Sequence, residues 1–247
     1  MKPAYDDGTV SVFHADHSEL AAHLYGRESV GALVTDPPYS DRTHAGHNGV
    51  TEAVNGLLPA ERDGTLRRGL AYEAMTPALA AEMVATWAAL DPAWMFVLTD
   101  DELIKPFRAA MERSGRLAFQ SIPCVIDGMT VCSRRRSPEM VRWGTLRGYH
   151  RVPQEVCPWV GGKPVRLIRE IVRAYSRAGD LLVDPFCGAG TLGVAVRYEG
   201  RRAILADKDP LAVETTIKRL RGERTKPTRD DFPETASHPS LFGPRKP

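Results

Sequence analysis

The chain has 247 residues, of which 43% are hydrophobic and 26% are charged, and its formal net charge is only +2. This composition is that of a globular protein that can bury a sizeable core, and it excludes a histone-like polycation. The four cysteines are widely spaced with no pair at zinc-ligand spacing, so we expect neither a metal site nor a disulfide framework. The sequence also contains no signal-peptide core and no stretch that approaches a membrane span, so we expect neither export nor membrane insertion.

Short apolar runs alternate with amphipathic stretches along the whole chain. Strands are predicted over 10–15, 32–35, 94–98, 116–126, 181–183 and 203–206. Helices are predicted over 18–25, 77–90, 101–113, 164–177, 190–198 and 210–220, the first of them with Ser18 as its N-cap. Strands that alternate with helices indicate an α/β fold, with a doubly wound, mainly parallel sheet that is covered on both faces.

Three stretches interrupt this alternation within an expected single domain over 1–221. Residues 41–75 are predicted to form a long loop and residues 127–160 an arginine-rich insert, while the proline-rich tail over 222–247 is predicted to be disordered. Between residues 129 and 153, six arginines stand against Glu139, which gives a local net charge of +5. Such a run is either a solvated face or a surface that binds phosphates.

The segment LLVDPFCGAGTLGVA begins with a strand and continues into a glycine-containing turn and a helix. Its strand ends at Asp184, and Gly188 and Gly190 let the backbone approach a ligand at the start of the helix. The next strand ends at Asp207, about 20 residues later, where a carboxylate can accept hydrogen bonds from ribose hydroxyls. The pattern favours a nucleoside ligand over a turn that only packs its helix.

The segment ALVTDPPYS places a carboxylate, a rigid turn and an aromatic ring within four residues. Asp36 ends a strand, Pro37 and Pro38 force an extended backbone with exposed carbonyls, and Tyr39 follows. These groups suit a planar base held through its amino group. The alternative is a Pro-Pro turn with a packed tyrosine.

Together the two segments resemble the S-adenosylmethionine-dependent amino-methyltransferases of DNA, with DPPY as the catalytic motif and DPFCGAG as the F-x-G-x-G cofactor loop. DPPY precedes the glycine loop by about 150 residues, an order that resembles the β group of these enzymes. HADHSEL and GGKPVRLIREIV resemble two further elements of the family, so that the resemblance covers residues 10–40 and 161–220. The chain departs from the family pattern at Ala15, at Ala189 and in WVGGKP, and none of these departures removes a charged or catalytic position.

The resemblance implies a class I, Rossmann-like fold with a seven-stranded sheet and a circularly permuted motif order. It implies S-adenosylmethionine as the cofactor and S-adenosylhomocysteine as the product. Carried over, Asp16 approaches the adenine of the cofactor, Asp207 its ribose, and Lys163 its methionine end. The cofactor loop completes this set with Asp184, Phe186, Cys187, Gly188 and Gly190.

For the catalytic motif, our hypothesis is that Asp36 and the Pro37 carbonyl accept the two hydrogens of the target amine while Tyr39 stacks on the base. This reaction needs no covalent intermediate. A cytosine-C5 enzyme would need a nucleophilic cysteine after proline, and Pro123–Cys124 lacks the glutamine that should follow it. Cys187 is interpreted as a packing residue of the loop.

The expected partner is double-stranded DNA, from which the target base must be flipped out. Aspartate before Pro-Pro-Tyr favours the N6 amine of adenine, and the alternatives are cytosine N4, an RNA amine and a catalytically silent DNA-binding subunit. The expected DNA-binding residues are the arginines Arg42, Arg134, Arg135, Arg136, Arg142 and Arg147. We expect a prokaryotic cytosol or a phage-infected cell as the location. A homodimer would let the small insert cover more DNA, and a cognate restriction enzyme, a solitary regulatory role and a protective phage role fit the sequence equally.

Overall fold

A computed structural model describes residues 1–43, 73–127, 150–153 and 162–223 of the chain. Within these ranges the strands form a six-stranded sheet in the order β1-β2-β8-β7-β3-β4 and a separate parallel pair, β5-β6. The strands are β1 (Tyr5–Asp6), β2 (Val10–His14), β3 (Ala32–Thr35), β4 (Trp94–Val97), β5 (Cys124–Asp127), β6 (His150–Pro153), β7 (Leu181–Asp184) and β8 (Arg202–Asp207). All neighbours in the main sheet are parallel except β1 and β2.

Helices cover both faces of the sheet, so the predicted doubly wound architecture is confirmed. They are α1 (His17–Leu24), α2 (Pro77–Ala88), α3 (Ile104–Arg113), α4 (Val165–Tyr175), α5 (Thr191–Glu199) and α6 (Pro210–Leu220). One core cluster joins one face of the sheet to α1, α2 and α3, and includes the fully buried Trp87. The other joins the opposite face to α4, α5 and α6, and includes Leu167 and Leu192. None of the described helices is long and apolar enough to cross a membrane.

Several predicted boundaries differ from the observed ones. Within the described ranges the main sheet has six strands where seven were expected, and the strand predicted over 116–126 is confined to β5. The prediction of Ser18 as the N-cap of α1 is wrong, because Asp16 takes that position and accepts a hydrogen bond from the Ser18 backbone N–H. Strands β1 and β6 were not predicted, and β6 lies inside the arginine-rich insert. Most of the long loop, most of that insert and the tail from residue 224 lie outside the described residues.

The strand order places the two sequence motifs beside each other. Strands β3 and β7 are hydrogen-bonded neighbours, and every residue of both strands is buried. From β7 the chain continues outwards to β8, whereas from β3 it continues in the opposite direction to β4. The carboxyl ends of parallel strands at such a switch point form a crevice in which open α/β sheets bind ligands. Asp36 follows the last residue of β3, and Asp184 is the last residue of β7, so both lie at this switch point.

Candidate active site

Asp36 begins the DPPY turn and is held by a lysine from the distant C-terminal half. Lys163 Nζ donates to Asp36 Oδ2 at 2.5 Å, and the same ammonium lies 4.9 Å from the centroid of the Tyr39 ring. The other carboxylate oxygen, Oδ1, is buried and has no hydrogen-bond partner among the described residues. A buried acceptor without a partner is costly, so it marks a place where a ligand can donate a hydrogen bond.

The electrostatics of this cluster keep Lys163 charged and Tyr39 neutral. Burial favours the neutral lysine, but the Asp36 carboxylate outweighs it and raises the pKa of Lys163 above its ordinary value. Burial and the Asp36 charge both raise the pKa of Tyr39. The ammonium therefore pairs with a carboxylate beside an uncharged aromatic ring.

The turn after Tyr39 is anchored by Asp100, which follows β4. Asp100 Oδ2 accepts from the Ser40 backbone N–H at 2.8 Å, from Ser40 Oγ at 2.6 Å and from Thr43 Oγ1 at 2.7 Å. Burial opposes ionisation of Asp100, but these donors outweigh it and lower its pKa. Arg42, a predicted DNA contact, is exposed at this turn and donates to Glu102 at 3.2 Å. The carboxylate of Asp100 thus fixes the path of the chain that carries Tyr39.

Asp184 connects the catalytic turn to the cofactor loop. Only 7% of the residue is exposed, and its Oδ1 accepts from Thr35 Oγ1 at 2.7 Å and from the Phe186 backbone N–H at 3.1 Å. Burial raises the pKa of Asp184 to about 7, with smaller contributions from the charges of Asp36 and Asp207. A side chain of β3 thus donates directly to the first residue of the DPFCGAG motif.

This raised pKa predicts an unusual pH dependence of stability. An unfolded aspartate titrates near pH 4, so between about pH 4 and 7 the folded state binds more protons at Asp184 than the unfolded state. The free energy of unfolding therefore falls as pH rises through this window, by at most about 1.4 kcal/mol per pH unit from this group. Asp184→Asn removes the effect, so urea unfolding between about pH 5 and 8 should show the variant gaining stability relative to wild type as pH rises. The exposed Asp101 supplies the control, Asp101→Asn. A stability difference between Asp184→Asn and wild type that stays constant with pH would contradict the prediction.

The glycine loop is braced from β8 and α6. The Gly188 backbone N–H donates to Asp207 Oδ2 at 2.9 Å, and its carbonyl accepts from Thr216 Oγ1 at 2.8 Å. Arg219 donates to the Ala189 carbonyl at 3.1 Å. Asp207 also accepts from the Asp209 backbone N–H, and burial raises its pKa. Asp207 therefore holds the cofactor loop in place, and this is separate from the contact with the ribose that is predicted for it.

Gly190 has no room for a side chain. Its φ is +70°, and a Cβ there would lie 2.5 Å from Thr216 Cγ2. Gly190 is the N-cap of α5 and contributes no side-chain hydrogen bond to that end of the helix. The first N–H groups of α5 lack intrahelical partners and face the loop end, where a polar ligand group can accept from them.

The loop after β2 contributes a third group of polar atoms. Asp16 accepts from the Ser18 backbone N–H at 2.9 Å and from Ser18 Oγ at 2.8 Å, and these bonds outweigh burial and lower its pKa. The His17 ring lies 5.3 Å from the Phe186 ring of the cofactor loop, and His17 Nδ1 is buried without a partner among the described residues. The structure thus places the residue after Asp16 against Phe186 of the cofactor loop.

The two cysteines in the described ranges are protonated thiols. Burial raises the pKa of Cys124 to about 11 and that of Cys187 well above its ordinary value. Cys187 packs in the core with its Sγ 3.8 Å from Thr216 Oγ1. Neither environment activates a thiolate nucleophile. Among the described residues, no group of three or more His, Cys, Asp or Glu side chains is arranged to hold a metal ion.

Sequence reasoning missed several residues that build the site: Thr35, Ser40, Asp100, Thr216 and Arg219. Thr216 had a usable signal, because it lies on the buried face of α6 with Ala212, Val213 and Leu220. A hydroxyl on an apolar helix face implies a hydrogen-bond partner in the interior. Asp100 carries no comparable signal, since its partner Ser40 is 60 residues away in the sequence. The predicted DNA-binding residues from Arg134 to Arg147 lie outside the described residues.

Comparisons with known proteins find relatives that share part of this sequence and structures that share its fold. Residues 140–218 match a DNA methylase family model. The Type II methyltransferase M.Cfr9I of Citrobacter freundii is 39% identical over 62 residues, which cover 25% of this chain and 21% of that relative. The chain therefore spans only about a fifth of the length of that relative.

Solved structures share the fold at low sequence identity. The M1.HpyAVI complex with SAM is 19% identical with a TM-score of 0.59, over 85% of this chain and 98% of that chain. The PvuII DNA methyltransferase, which is cytosine-N4-specific, is 15% identical with a TM-score of 0.56, over 89% of each chain. The paired DPPY and DPFCGAG motifs, this fold and the DNA methylase match over residues 140–218 make the chain similar to the S-adenosylmethionine-dependent DNA amino-methyltransferases.

Proposed function

We propose that the protein transfers a methyl group from S-adenosylmethionine to the exocyclic N6 amine of an adenine flipped out of double-stranded DNA. The observation that carries this proposal is Oδ1 of Asp36, which is buried at the switch point between β3 and β7 and has no hydrogen-bond partner within the described part of the chain. It lies beside the strand that leads into the glycine loop. An acceptor for an amine and a loop for a nucleoside cofactor therefore share one crevice.

The residues beyond the carboxyl ends of β2, β7 and β8 fit the cofactor. The loop offers Gly188 and Gly190 at positive φ, a conformation that favours glycine, and the N-terminus of α5 follows it. His17 Nδ1, next to Asp16 and Phe186, is available to a purine edge. Asp207 is the last residue of β8, and its carboxylate can accept hydrogen bonds from the ribose hydroxyls. When bound, the cofactor supplies an electrophilic sulfonium methyl.

The residues of the catalytic turn supply orientation. The amine of adenine is a weak nucleophile because its lone pair is delocalised into the ring. Asp36 Oδ1 and the Pro37 carbonyl accept its two hydrogens, which localises the lone pair and directs it at the methyl group. Tyr39, held neutral by its surroundings, stacks on the base. The amine proton leaves after transfer, and no side chain of the protein becomes methylated.

The main alternative is the N4 amine of cytosine, because the same two acceptors serve either amine. The fold is shared with a cytosine-N4-specific enzyme, which supports this alternative. We prefer adenine because aspartate precedes Pro-Pro-Tyr in this chain.

The proposal is tested by the identity of the product. The protein is incubated with radiolabelled S-adenosylmethionine and, separately, duplex DNA and RNA, and the labelled nucleosides are identified by mass spectrometry. The expected labelled product in the DNA hydrolysate is N6-methyldeoxyadenosine. N4-methylcytosine would replace the adenine assignment, and label in RNA alone would exclude DNA as the substrate.

The arginine-rich insert is proposed to bind DNA phosphates. Replacing Arg134, Arg135 and Arg136 with alanine should weaken duplex binding and reduce the slope of log K against log salt by about 0.9 for each phosphate that is no longer neutralised. Fluorescence anisotropy at several salt concentrations measures both quantities. The affinity for S-adenosylmethionine serves as the internal control and should not change. Unaltered DNA affinity and slope would show that these arginines are only a solvated surface.

A further inference from the structure

The structure gives Lys163 a neighbour that its motif does not imply. The family resemblance assigns this lysine to the methionine end of the cofactor. In the folded chain, its Nζ lies 2.5 Å from Asp36 Oδ2 and 4.9 Å from the centroid of the Tyr39 ring. One ammonium therefore contacts both the first and the last residue of the DPPY motif.

Lys163 reaches the catalytic turn from a rigid support. Pro164 restricts the backbone of Lys163 to extended conformations and is the N-cap of α4. Leu167 and Ile171 anchor that helix in the core, where neither has any exposed surface. The side chains of Lys163 and Asp36 are only 15% and 25% exposed, so water screens their attraction little.

The pairing makes the two oxygens of Asp36 unequal. A carboxylate at the end of a strand can rotate about its side-chain bonds, and either oxygen could then meet a substrate. Here Oδ2 is occupied by the ammonium, whereas Oδ1 is buried and has no hydrogen-bond partner among the described residues. An acceptor that is fixed before the substrate arrives avoids the cost of ordering it during the reaction.

We propose that Lys163 is a positioning residue for Asp36, which holds Oδ2 so that Oδ1 accepts a hydrogen from the target amine. Its contact with Tyr39 fixes the stacking ring in the same step. This inference rests on the proposed amine methylation. It goes beyond the cofactor role that the motif implies, because Lys163 then acts on the base side of the site.

Steady-state kinetics and cofactor binding distinguish the two roles. Lys163→Met keeps most of the length of the side chain and removes its charge, and it should lower kcat about 10–100-fold while the Kd for S-adenosylmethionine changes less than about threefold. Lys163→Arg keeps a cation and should recover part of the activity. Lys105→Met, at an exposed position on α3, is the matched control and should behave as wild type. A large rise in the cofactor Kd with kcat unchanged would overturn the proposal in favour of the methionine-end role.

A second measurement does not depend on activity. In a double-mutant cycle of Lys163→Met and Asp36→Asn, unfolding in urea should reveal a coupling of at least about threefold in the unfolding equilibrium constant. Additive effects would show that the two side chains do not interact and would overturn the proposal, whether or not the wild type methylates DNA. If the wild type methylates no nucleic acid, the proposed function fails, and the cycle and the cofactor Kd still decide the pairing.

Discussion

Asp36→Ala is expected to lower kcat for methyl transfer about 10³-fold or more, while the affinity for S-adenosylmethionine stays within about threefold of wild type. The substitution removes Oδ1, the proposed acceptor of the amine hydrogen, and Oδ2, the acceptor that pairs with Lys163. The glycine loop is untouched, because it is held by Asp207, Thr216 and Arg219. Single-turnover transfer of labelled methyl to duplex DNA and calorimetric titration of the cofactor measure the two effects separately.

Asp36→Asn keeps the size of the side chain but leaves it one oxygen in place of two. The Lys163 ammonium can donate only to that oxygen, so the amide nitrogen takes the position of Oδ1, where it cannot accept the amine hydrogen. Its loss of activity should therefore be close to that of Asp36→Ala. Asp36→Ala also leaves the mostly buried ammonium of Lys163 without the carboxylate, so its folding must be checked by thermal unfolding. The exposed Asp101, which follows the neighbouring strand, gives the control Asp101→Asn with unchanged activity. A folded Asp36→Ala protein that retains wild-type kcat would remove Asp36 from the mechanism.

Gly190→Ala should give the largest loss of cofactor affinity, at least about tenfold, together with a lower stability. A non-glycine residue at φ +70° is strained by about 1–2 kcal/mol. In addition, the new Cβ would lie 2.5 Å from Thr216 Cγ2 and 2.9 Å from its Oγ1. Thr216 is fully buried and hydrogen-bonded to the Gly188 carbonyl, so it cannot move without displacing the loop. Cofactor titration and urea unfolding measure both consequences.

Gly200→Ala tests the backbone strain of a positive φ without the steric clash that a Cβ at position 190 would make with Thr216. Gly200 has nearly the same conformation, with φ +67°, but a Cβ there would meet no atom within 4 Å. It ends α5 at the opposite end from the cofactor loop. Its substitution should therefore reduce stability by the strain alone and leave the cofactor Kd unchanged. Equal reductions of affinity in the two variants would show that contact with Thr216 does not shape the loop.

Much of the site was predictable because its chemistry lies in contiguous residues. DPPY and DPFCGAG each join a strand end, a turn and a functional side chain within a few positions, and the local rules for proline and glycine apply to them directly. The strand over 32–35 and the helix over 210–220 were predicted with their observed limits, since continuous apolar runs and helical periodicity mark them. The N-cap of α1 was misassigned because Asp16 and Ser18 are both good caps, and only the hydrogen bonds separate them.

The sequence by itself determined the class of fold, the two motifs and their permuted order, because each depends on neighbours in the chain. The tertiary structure decided which groups meet at the crevice: Lys163 with Asp36, Thr35 with Asp184, and Thr216 with the glycine loop. These contacts join residues 127, 149 and 28 positions apart. Local propensity carries no information on such pairs, since they exist only after β7 inserts beside β3 and α6 packs behind the loop. The physical reason is that long-range packing, and not the motifs, sets which oxygen of Asp36 pairs with Lys163 and which has no partner among the described residues.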